Sequence, residues 1–425
     1  MKYVLRENQV ECSNKMVYSL TQGKGNGFVY ATCGFGKSLV IADAASRLKE
    51  PTLVLQPQKE ILEQNYEKMM SYGIEGVTMY SASVGKQEHG NVTFATIQSI
   101  YKKPEEFKRY KYVLIDECHR VNPEHMDGMY GQFFRAIGNP PKVSLTGSPF
   151  RQQGKYVWEE VIRNGRVEKD QYYTTVVTPL NRIFNKSSKA TGTDKFIFGS
   201  MIYKAEMHEL INQGFLCEPE YVYTHTGAYD YTNLKMNGIG SNFDEDALEE
   251  FVNSPDRLKQ AAQACYDYNS SCNLNLVFCS SIKQAKTLSE MCTKMGLSAG
   301  YLTGAHSKKE RKLLYEKFRA GDIKHFFNVG TMTTGVDVPW LDQVTYVRPT
   351  ISVDVYVQSC ARCIRKDPNN PSKKARIVDV SGTSKRLGRI QTIRMDKEDG
   401  FKDVLMSEVG QLSGTPLSKF RVAKK

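Results

Sequence analysis

The stretch YATCGFGKSLVIADAA, from Tyr30 to Ala45, has the order of residues that predicts the fold. It ends a β-rich segment, turns through small residues and continues as a helical pattern. Gly34 and Gly36 permit backbone angles that other residues resist, so the N–H groups of the loop can converge on one point. The positive end of the following helix would face the same point. The stretch therefore predicts either a phosphate-binding loop or an ordinary strand–turn–helix connection.

A phosphate-binding loop would give Lys37 and Ser38 separate roles. The lysine would reach the outer phosphates of a nucleotide and the hydroxyl would bind Mg²⁺, as in the pattern G-x-x-x-x-G-K-S/T. Ala31 stands at the first glycine position of this pattern, a difference of one methyl group. The residues that we expect to contact the nucleotide here are Thr32, Cys33, Gly34, Phe35, Gly36, Lys37, Ser38 and Leu39.

Length and charge give the class of protein and of partner. A chain of 425 residues should hold two or three domains. Its net charge of +12 suggests a polyanionic partner. The segment 371–425 has 13 Lys and Arg against 6 Asp and Glu. This segment is interpreted either as a solvated tail or as a region that contacts nucleic acid.

The ten cysteines are scattered and do not form a metal-binding or disulfide framework. The one close pair, Cys360 and Cys363, has no second C-x-x-C, which disfavours both zinc and redox chemistry. Free thiols fit a reducing compartment. The N-terminal residues lack the apolar core of a secretory signal, and no apolar run is long enough to cross a bilayer. We expect a cytoplasmic monomer without a membrane partner.

Strand and helix patterns alternate in two successive series. Short apolar runs such as TLVLQP, VTFAT, YVLID and KVSLTG alternate with helical patterns, which predicts a parallel, doubly wound sheet. Ligands of such sheets bind beyond the carboxyl ends of the strands. A second series extends from EYVYTH to ARIVDV. The predicted domains are 1–215, with a loop or insertion at about 151–194, then 216–384, followed by a basic tail at 385–425.

Two adjacent acids end the run VLIDECH, which covers Val113 to His119. Asp116 would lie beside the loop and hold Mg²⁺ together with Ser38. Glu117 would act on the water that attacks the outer phosphate, as a general base. The alternative is a simple acidic cap at a strand end. The hydroxyls of Thr146 and Ser148, at the end of another strand, could hydrogen-bond to the acids.

The segment YVQSCARCIRK, from Tyr356 to Lys366, predicts a basic helix face. On a helix, Gln358, Arg362 and Arg365 would have the spacing i, i+4 and i+7 and would share that face. Such a face suits an interface where a phosphate arrives from the other domain, and the alternative is a solvated basic surface.

The ordered segments RENQ, ATCGFGKS, LVLQP, FATIQS, DECH, LTGSP, LVFCSS, GTMTTGVDVP and QSCARCIR resemble the motifs of superfamily 2 DECH-box helicases, in particular the XPB/RadD/UvsW-like group of DNA repair and phage helicases. The resemblance covers about residues 3–382. It implies an α/β fold of two tandem RecA-like domains, parallel sheets flanked by helices, with the nucleotide site in the cleft between them. It also implies ATP and Mg²⁺ as cofactors.

The same resemblance assigns further residues. Gln9 would read adenine, and Gly335 and Asp337 would belong to the nucleotide site. Lys37, Asp116, Glu117, Gln358, Arg362 and Arg365 would be the catalytic set. The residues expected to hold a nucleic-acid backbone, on the face opposite the phosphate loop, are Gln56, Pro57, Thr96, Gln98, Ser280, Ser281, Gly330 and Thr331.

The function predicted is that of an ATP-driven DNA translocase or helicase on branched, damaged or replicating DNA, with junctions of single-stranded and duplex DNA as partners. Three alternatives remain open at this point: an RNA helicase of the same fold, a nucleotide-gated clamp that binds nucleic acid without moving and, less favoured, the motor of a restriction system. The compartment expected is the cytoplasm of a bacterium or of a phage-infected host.

Overall fold

The structure is a computed structural model of the 425-residue chain. It describes residues 4–22, 26–121, 128–163, 166–179, 200–223, 229–231, 234–235, 237, 243–330, 332, 338–398, 402–412 and 419–421. The helices are α1 Glu7–Thr21, α2 Lys37–Arg47, α3 Lys59–Ser71, α4 Ile97–Ile100, α5 Met129–Ala136, α6 Met207–Asn212, α7 Glu245–Val252, α8 Pro255–Asp267, α9 Ile282–Lys294, α10 Lys308–Ala320, α11 Val353–Cys360 and α12 Thr383–Leu387. Short 3₁₀ turns cover Pro104–Phe107, Cys118–Arg120 and Ile390–Thr392.

The strands follow the same order along the chain. They are β1 Gly27–Ala31, β2 Thr52–Gln56, β3 Val77–Ser81, β4 Lys86–Gln87, β5 Val92–Thr96, β6 Tyr112–Ile115, β7 Lys142–Thr146, β8 Phe150–Arg163, β9 Arg166–Pro179, β10 Ser200–Ala205, β11 Pro219–Tyr223, β12 Asn275–Phe278, β13 Ala299–Leu302, β14 His325–Asn328, β15 Gln343–Tyr346, β16 Ala375–Asp379, β17 Arg394–Glu398, β18 Lys402–Ser407, β19 Gly410–Gln411 and β20 Lys419–Arg421.

The chain divides into two compact units. Unit 1 comprises Met1–Arg151 and Pro179–Glu206, and unit 2 comprises Gln152–Thr178 and Met207–Lys425. This division falls nine residues before the predicted boundary at 215 and places the segment 385–425 with unit 2. It also assigns Gln152–Thr178, predicted as part of the first domain, to unit 2. Among the described residues, no helix combines the length and the apolar character needed to cross a membrane.

Unit 1 is built on an eight-stranded sheet in the order β10–β1–β7–β6–β2–β5–β3–β4. All neighbours pair in parallel except β3 and β4. The residues of β1, β2, β5 and β7 are buried throughout, as is typical of parallel strands covered on both faces. The strands predicted from TLVLQP, VTFAT, YVLID and KVSLTG are therefore confirmed, and their carboxyl ends meet at one edge.

Unit 2 has a six-stranded parallel sheet in the order β11–β16–β15–β12–β14–β13. Its strands β12, β14 and β15 are buried throughout, and Leu276, Phe326 and Val344 have no exposed surface. Helices α9 and α10 cover most of the runs SIKQAKTLSEMCTKMG and KKERKLLYEKFRAG in the second predicted series. The fold class of two α/β units with parallel sheets is thus confirmed.

The segment predicted as a loop or insertion at about 151–194 contains regular structure. Strands β8 and β9 cover most of 150–179 and form a three-stranded sheet with β20, in the order β20–β9–β8. The pairing of β9 with β20 joins residues about 250 positions apart in sequence, so no local pattern announces it. The polar run NRIFNKSSKATGTDK, at 181–195, lies outside the described residues.

The basic segment after residue 384 is packed onto unit 2 in its described part. Strands β17, β18 and β19 form an antiparallel sheet, and Val404 and Leu405 are buried. The backbone N–H of Ile390 donates to the Tyr221 hydroxyl at 2.9 Å. The expectation of a solvated tail is wrong for these residues. Within the run GFKDVLM, Lys402–Ser407 is a strand of this sheet.

Lys142 opens β7 as a fully buried lysine. Its Nζ donates to Asn139 Oδ1 at 2.6 Å and to the Pro140 carbonyl at 2.8 Å, and lies 4.8 Å from the centre of the Phe134 ring. Burial lowers the pKa of Lys142 from 10.5 to about 7. The group therefore loses its charge in the folded state at a pH where the unfolded chain keeps it.

The substitution Lys142→Met is expected to change how stability depends on pH. Between pH 7 and 10 the unfolded wild type binds more protons than the folded state, so its free energy of unfolding rises with pH. The variant lacks this contribution. The free energy of unfolding of Lys142→Met minus that of wild type should therefore be largest at pH 7 and fall by up to about 1.4 kcal/mol per pH unit above it. Urea titrations at several pH values measure this, with the exposed Lys111→Met as control. Parallel curves for wild type and Lys142→Met would contradict the prediction.

Candidate nucleotide-hydrolysis site

The loop between β1 and α2 has the backbone that the glycines predicted. Gly34 has φ of 85° and Gly36 has φ of 92°, both in the left-handed region that favours glycine. A Cβ at Gly36 would also lie 2.5 Å from Nε2 of Gln9, so a larger residue would displace the Gln9 amide besides being disfavoured by φ. Helix α2 then begins at Lys37, with its N-terminus at the loop. The loop is therefore a curled backbone at a helix N-terminus, as anion sites require.

Lys37 extends from the loop towards the end of β6. Its Nζ lies 3.4 Å from Glu117 Oε1 and donates to the Ala31 carbonyl at 3.3 Å. Burial acts to lower the pKa of Lys37, but the neighbouring Glu117, Cys33 and Asp116 outweigh it and the pKa is raised. The ammonium is consequently charged and enclosed by the loop on one side and a carboxylate on the other.

Asp116 and Glu117 follow β6 directly. The Glu117 N–H donates to Asp116 Oδ1 at 3.0 Å, and the side chain of Asp116 is buried. Glu117 has φ of 47° and ψ of 48°, a left-handed conformation that costs a non-glycine residue about 1–2 kcal/mol. Backbone strain of this kind clusters at functional sites.

The two carboxyl groups titrate differently because their neighbours differ. Burial, followed by the charge of Glu117, raises the pKa of Asp116 to about 6. Burial also acts to raise the pKa of Glu117, but Lys37 and His119 outweigh it and that pKa is lowered. At neutral pH Glu117 is thus a carboxylate that can accept a proton or orient a water molecule.

His119 links Glu117 to the end of β7. Its Nδ1 lies 2.8 Å from Thr146 Oγ1 and 3.3 Å from Glu117 Oε2. The Ser148 N–H donates to Thr146 Oγ1 at 2.9 Å. Thr146 is therefore linked to Glu117 through His119. The pattern DECH contains His119 but gives no indication of a role for it.

Gln9 approaches the loop from helix α1. Its Nε2 donates to the Phe35 carbonyl at 2.7 Å, its Oε1 accepts from the Arg6 N–H at 3.0 Å, and the Arg6 guanidinium also contacts the Phe35 carbonyl. The structure thus brings Gln9 to the phosphate loop. Of the other loop residues, Thr32 and Phe35 are buried, and Cys33, Gly34, Ser38 and Leu39 are half-buried.

Asn65 on α3 is a site residue that sequence reasoning missed. Its Oδ1 accepts from Ser38 Oγ at 2.7 Å, and its Nδ2 donates to Asp116 Oδ2 at 3.2 Å and to Gln56 Oε1 at 3.1 Å. Ser38 and Asp116, the predicted Mg²⁺ ligands, therefore contact the same amide group. Hydroxyl and carboxylate oxygens are ligands that Mg²⁺ accepts, so this donor set fits the ion.

The predicted nucleic-acid contacts of unit 1 are only partly available. Gln56 has no exposed surface and is bonded to Asn65, so its prediction as a backbone contact is wrong for this conformation. It lies at the end of β2, beside β6, and therefore on the side of the Mg²⁺ ligands. Pro57 and Thr96 are buried, and Thr96 Oγ1 bonds Ser99 Oγ at 2.9 Å. Gln98 is exposed.

The corresponding residues of unit 2 lie at the ends of β12 and β14. Ser281 caps α9 by accepting from the Gln284 N–H at 3.1 Å, and both Ser280 and Ser281 are half-buried. Gly330 is exposed with φ of 66°. Thr331, Gly335 and Asp337 lie outside the described residues.

The helix predicted for QSCARCIR is shorter than expected. Helix α11 ends at Cys360, so Gln358 lies on it while Arg362 and Arg365 follow it, and the shared helix face is wrong. The chain leaves the helix because residues 364–365 pair with a distant segment. The Cys217 N–H donates to the Ile364 carbonyl at 2.7 Å, and Leu216 forms a bridge with Arg365. Arg362 is buried and Arg365 is half-buried.

Two known families match the chain. A type III restriction enzyme, res subunit, model matches residues 2–151, and a helicase conserved C-terminal domain model matches residues 257–367. The first match covers the phosphate loop and the two acids, and the second covers Gln358, Arg362 and Arg365.

Several relatives share most of the chain at low identity. A protein named mitochondrial ATP-dependent helicase irc3 in Schizosaccharomyces pombe is 23% identical over 80% of this chain and 51% of its own length. A protein named DNA 3'-5' translocase XPB2 in Sulfurisphaera tokodaii is 22% identical over 83% of this chain and 77% of its own length. The chain spans about half the length of the first of these relatives.

Solved structures agree in fold. A fragment described as the HsdR subunit of a type I restriction enzyme from Vibrio vulnificus aligns with a TM-score of 0.61 and 17% identity, over 94% of this chain and 67% of that one. The order of the two family matches and the motifs that they contain support the resemblance of the chain to superfamily 2 helicases.

Proposed function

We propose that the chain is an ATP-dependent DNA helicase or translocase that acts on branched, damaged or replicating DNA. The observation that carries the proposal is the position of the Lys37 ammonium, 3.4 Å from Glu117 at the mouth of the phosphate loop. A bound phosphate would supply the ammonium with a stronger partner and leave Glu117 to a water molecule. That exchange suits hydrolysis better than it suits a structural ion pair.

The residues of unit 1 divide the chemistry among them. Lys37 and the amides of the loop would bind the phosphates, Gln9 would contact adenine, and Ser38 and Asp116 would hold Mg²⁺. The ion supplies positive charge that neutralises the phosphates and the leaving group. Glu117, kept ionised by Lys37 and His119, would orient the attacking water and accept its proton.

We propose that unit 2 contributes Gln358, Arg362 and Arg365 to the same reaction, together with Gly335 and Asp337. An arginine that reaches a transferring phosphoryl group stabilises the charge of the transition state and is worth about 10³–10⁵ in rate. Domain closure on ATP, and opening after hydrolysis, would then change the distance between two grips on a DNA backbone.

DNA is the proposed polymer for two reasons. The net charge of +12 favours a polyanion, and one relative is named as a DNA translocase. Gln98 in unit 1, with Ser280, Ser281, Gly330 and Thr331 in unit 2, are the proposed contacts with phosphates, which carry little sequence information. The proposed compartment is the cytoplasm of a bacterium or a phage-infected host, with the chain as a monomer.

Lys37→Ala and Glu117→Gln should abolish ATP hydrolysis in different ways. Lys37→Ala removes the ammonium that binds the phosphates, so nucleotide affinity should fall together with turnover. Glu117→Gln keeps the size of the side chain but removes the base, so turnover should fall about 10²–10⁴-fold while ATP still binds. Steady-state ATPase assays and equilibrium binding of a fluorescent ATP analogue measure the two effects.

Glu75→Gln is the matched control, because Glu75 is exposed in the loop before β3. It should hydrolyse ATP like wild type. If Glu117→Gln also kept wild-type turnover, Glu117 would not be the general base.

Arg365→Ala should leave nucleotide binding by unit 1 intact and lose most of the hydrolysis that nucleic acid stimulates. The reason is that a γ-phosphate contact from this side chain would act mainly in the transition state. Lys366→Ala is the control, since the next residue is also basic and is exposed. Normal stimulated turnover in Arg365→Ala would reject the contribution of this arginine to the site.

DNA should stimulate the ATPase more than RNA does, and binding should weaken steeply with salt. Each phosphate neutralised on duplex DNA adds about 0.9 to the slope of log affinity against log salt. The assay compares single-stranded, duplex, forked and four-way DNA with RNA of equal length, and Lys37→Ala serves as the control that binds DNA without hydrolysis. Stimulation by RNA alone would favour an RNA helicase. DNA binding without stimulation would favour a nucleotide-gated clamp.

A further inference from the structure

Asn65 occupies a position on α3 where an apolar residue would be expected. Ile61, Leu62 and Met69 form the buried face of this helix, and Asn65 shares the face with 9% of its surface exposed. A buried amide costs free energy unless its hydrogen bonds are made. Asn65 makes three, and two of its partners are the predicted Mg²⁺ ligands. The burial of this polar side chain is therefore explained by its hydrogen bonds to site residues rather than by packing.

The three bonds fit the amide in one orientation. Oδ1 accepts the Ser38 hydroxyl proton at 2.7 Å, while Nδ2 donates to Asp116 Oδ2 at 3.2 Å. Rotation of the amide by half a turn would bring its oxygen against the carboxylate oxygen of Asp116 and its NH₂ against the hydroxyl. The bond from Nδ2 to Gln56 Oε1, at 3.1 Å, opposes the same rotation. Asn65 is consequently fixed as an acceptor towards Ser38 and a donor towards Asp116.

We propose that Asn65 is the positioning residue for the two Mg²⁺ ligands. Because Asn65 Oδ1 accepts the hydrogen bond of the Ser38 hydroxyl, the lone pairs of Ser38 Oγ remain available to a cation. Because Asn65 holds Asp116 Oδ2 while the Glu117 N–H holds Oδ1, the plane of the carboxylate is fixed from both sides. Partners of this kind, one step removed from the ion, set the orientation of its ligands.

Gln56 completes the arrangement from the sheet. It is the last residue of β2, has no exposed surface, and its Nε2 has no hydrogen-bond partner within the described part of unit 1. Its Oε1 accepts from Asn65 Nδ2 at 3.1 Å. Gln56 serves as the support for Asn65, which is the reason that it is unavailable to a nucleic-acid backbone. The inference rests on the proposed function and adds two buried amides to it.

The test measures how strongly Mg²⁺ improves nucleotide binding. A fluorescent, non-hydrolysable ATP analogue is titrated onto the full chain with Mg²⁺ and with EDTA, and the ratio of the two affinities is the Mg²⁺ enhancement. In Asn65→Ala the enhancement should fall about 10–100-fold, whereas the affinity in EDTA should stay at the wild-type value. Glu67→Ala, on an exposed position of the same helix, should match wild type in both conditions. Binding of Mn²⁺, followed by electron paramagnetic resonance, should weaken in parallel.

The outcomes separate this proposal from the proposed function. If wild type fails to bind the analogue at all, the nucleotide site itself is wrong and the role of Asn65 falls with it. If wild type shows an enhancement and Asn65→Ala shows the same one, the positioning role alone is overturned. An equal loss of affinity with Mg²⁺ and with EDTA would assign Asn65 to the shape of the loop instead.

Folding of the variants is checked by thermal unfolding. Asn65→Leu fills the volume that Asn65→Ala leaves open, and it should show the same selective loss of enhancement. If Asn65→Ala and Asn65→Leu were both unfolded while Glu67→Ala folded, Asn65 would be required for stability of the fold. That result would also overturn the proposal.

Discussion

The contact between the Lys37 ammonium and the Glu117 carboxylate is the interaction on which the arrangement of unit 1 depends. Both groups are largely withdrawn from water, and removal of either would take a close partner from a largely buried charge, which is more costly than breaking a surface ion pair. The contact requires the loop after β1 to curl back over the end of β6. That is possible because β7 alone separates these strands in a parallel sheet, so all three carboxyl ends meet at one edge.

The same contact belongs to a chain of hydrogen-bonded polar groups. Glu117 contacts His119, which hydrogen-bonds to Thr146 at the end of β7. Asp116 hydrogen-bonds to Asn65, which also bonds Ser38 and Gln56. Strand ends that are separate in sequence are thereby joined by hydrogen bonds around one loop. If Lys37 exchanged Glu117 for another partner, the contacts at the ends of both β6 and β7 would change. Such a change could couple the nucleotide state to the rest of the unit.

Much of this could be predicted from sequence, and the remainder depended on contacts between distant segments. The strands, the glycine loop and the acids have local patterns, so β2, β5, β6 and β7 and the positions of Lys37, Asp116 and Glu117 followed from them. Asn65 and His119 carry no such pattern, because their roles arise only when α3 and β7 reach β6. The early end of α11 follows from pairing of residues 364–365 with 216–217, which no helical periodicity records. The prediction that Gln56 contacts a nucleic-acid backbone was wrong because a motif does not show whether a side chain is exposed.

The most direct test of the central claim is a high-resolution structure of the full chain with Mg²⁺ and a non-hydrolysable ATP analogue. The outer phosphates should lie on the amides of residues 33–38 and on Lys37 Nζ, with the ion on Ser38 and Asp116 and with Asn65 still bonded to both. Glu117 should have left Lys37 and should face a water molecule. A nucleotide bound elsewhere, or one bound with the contact between Lys37 and Glu117 unchanged, would contradict the assignment of this loop as the site of hydrolysis.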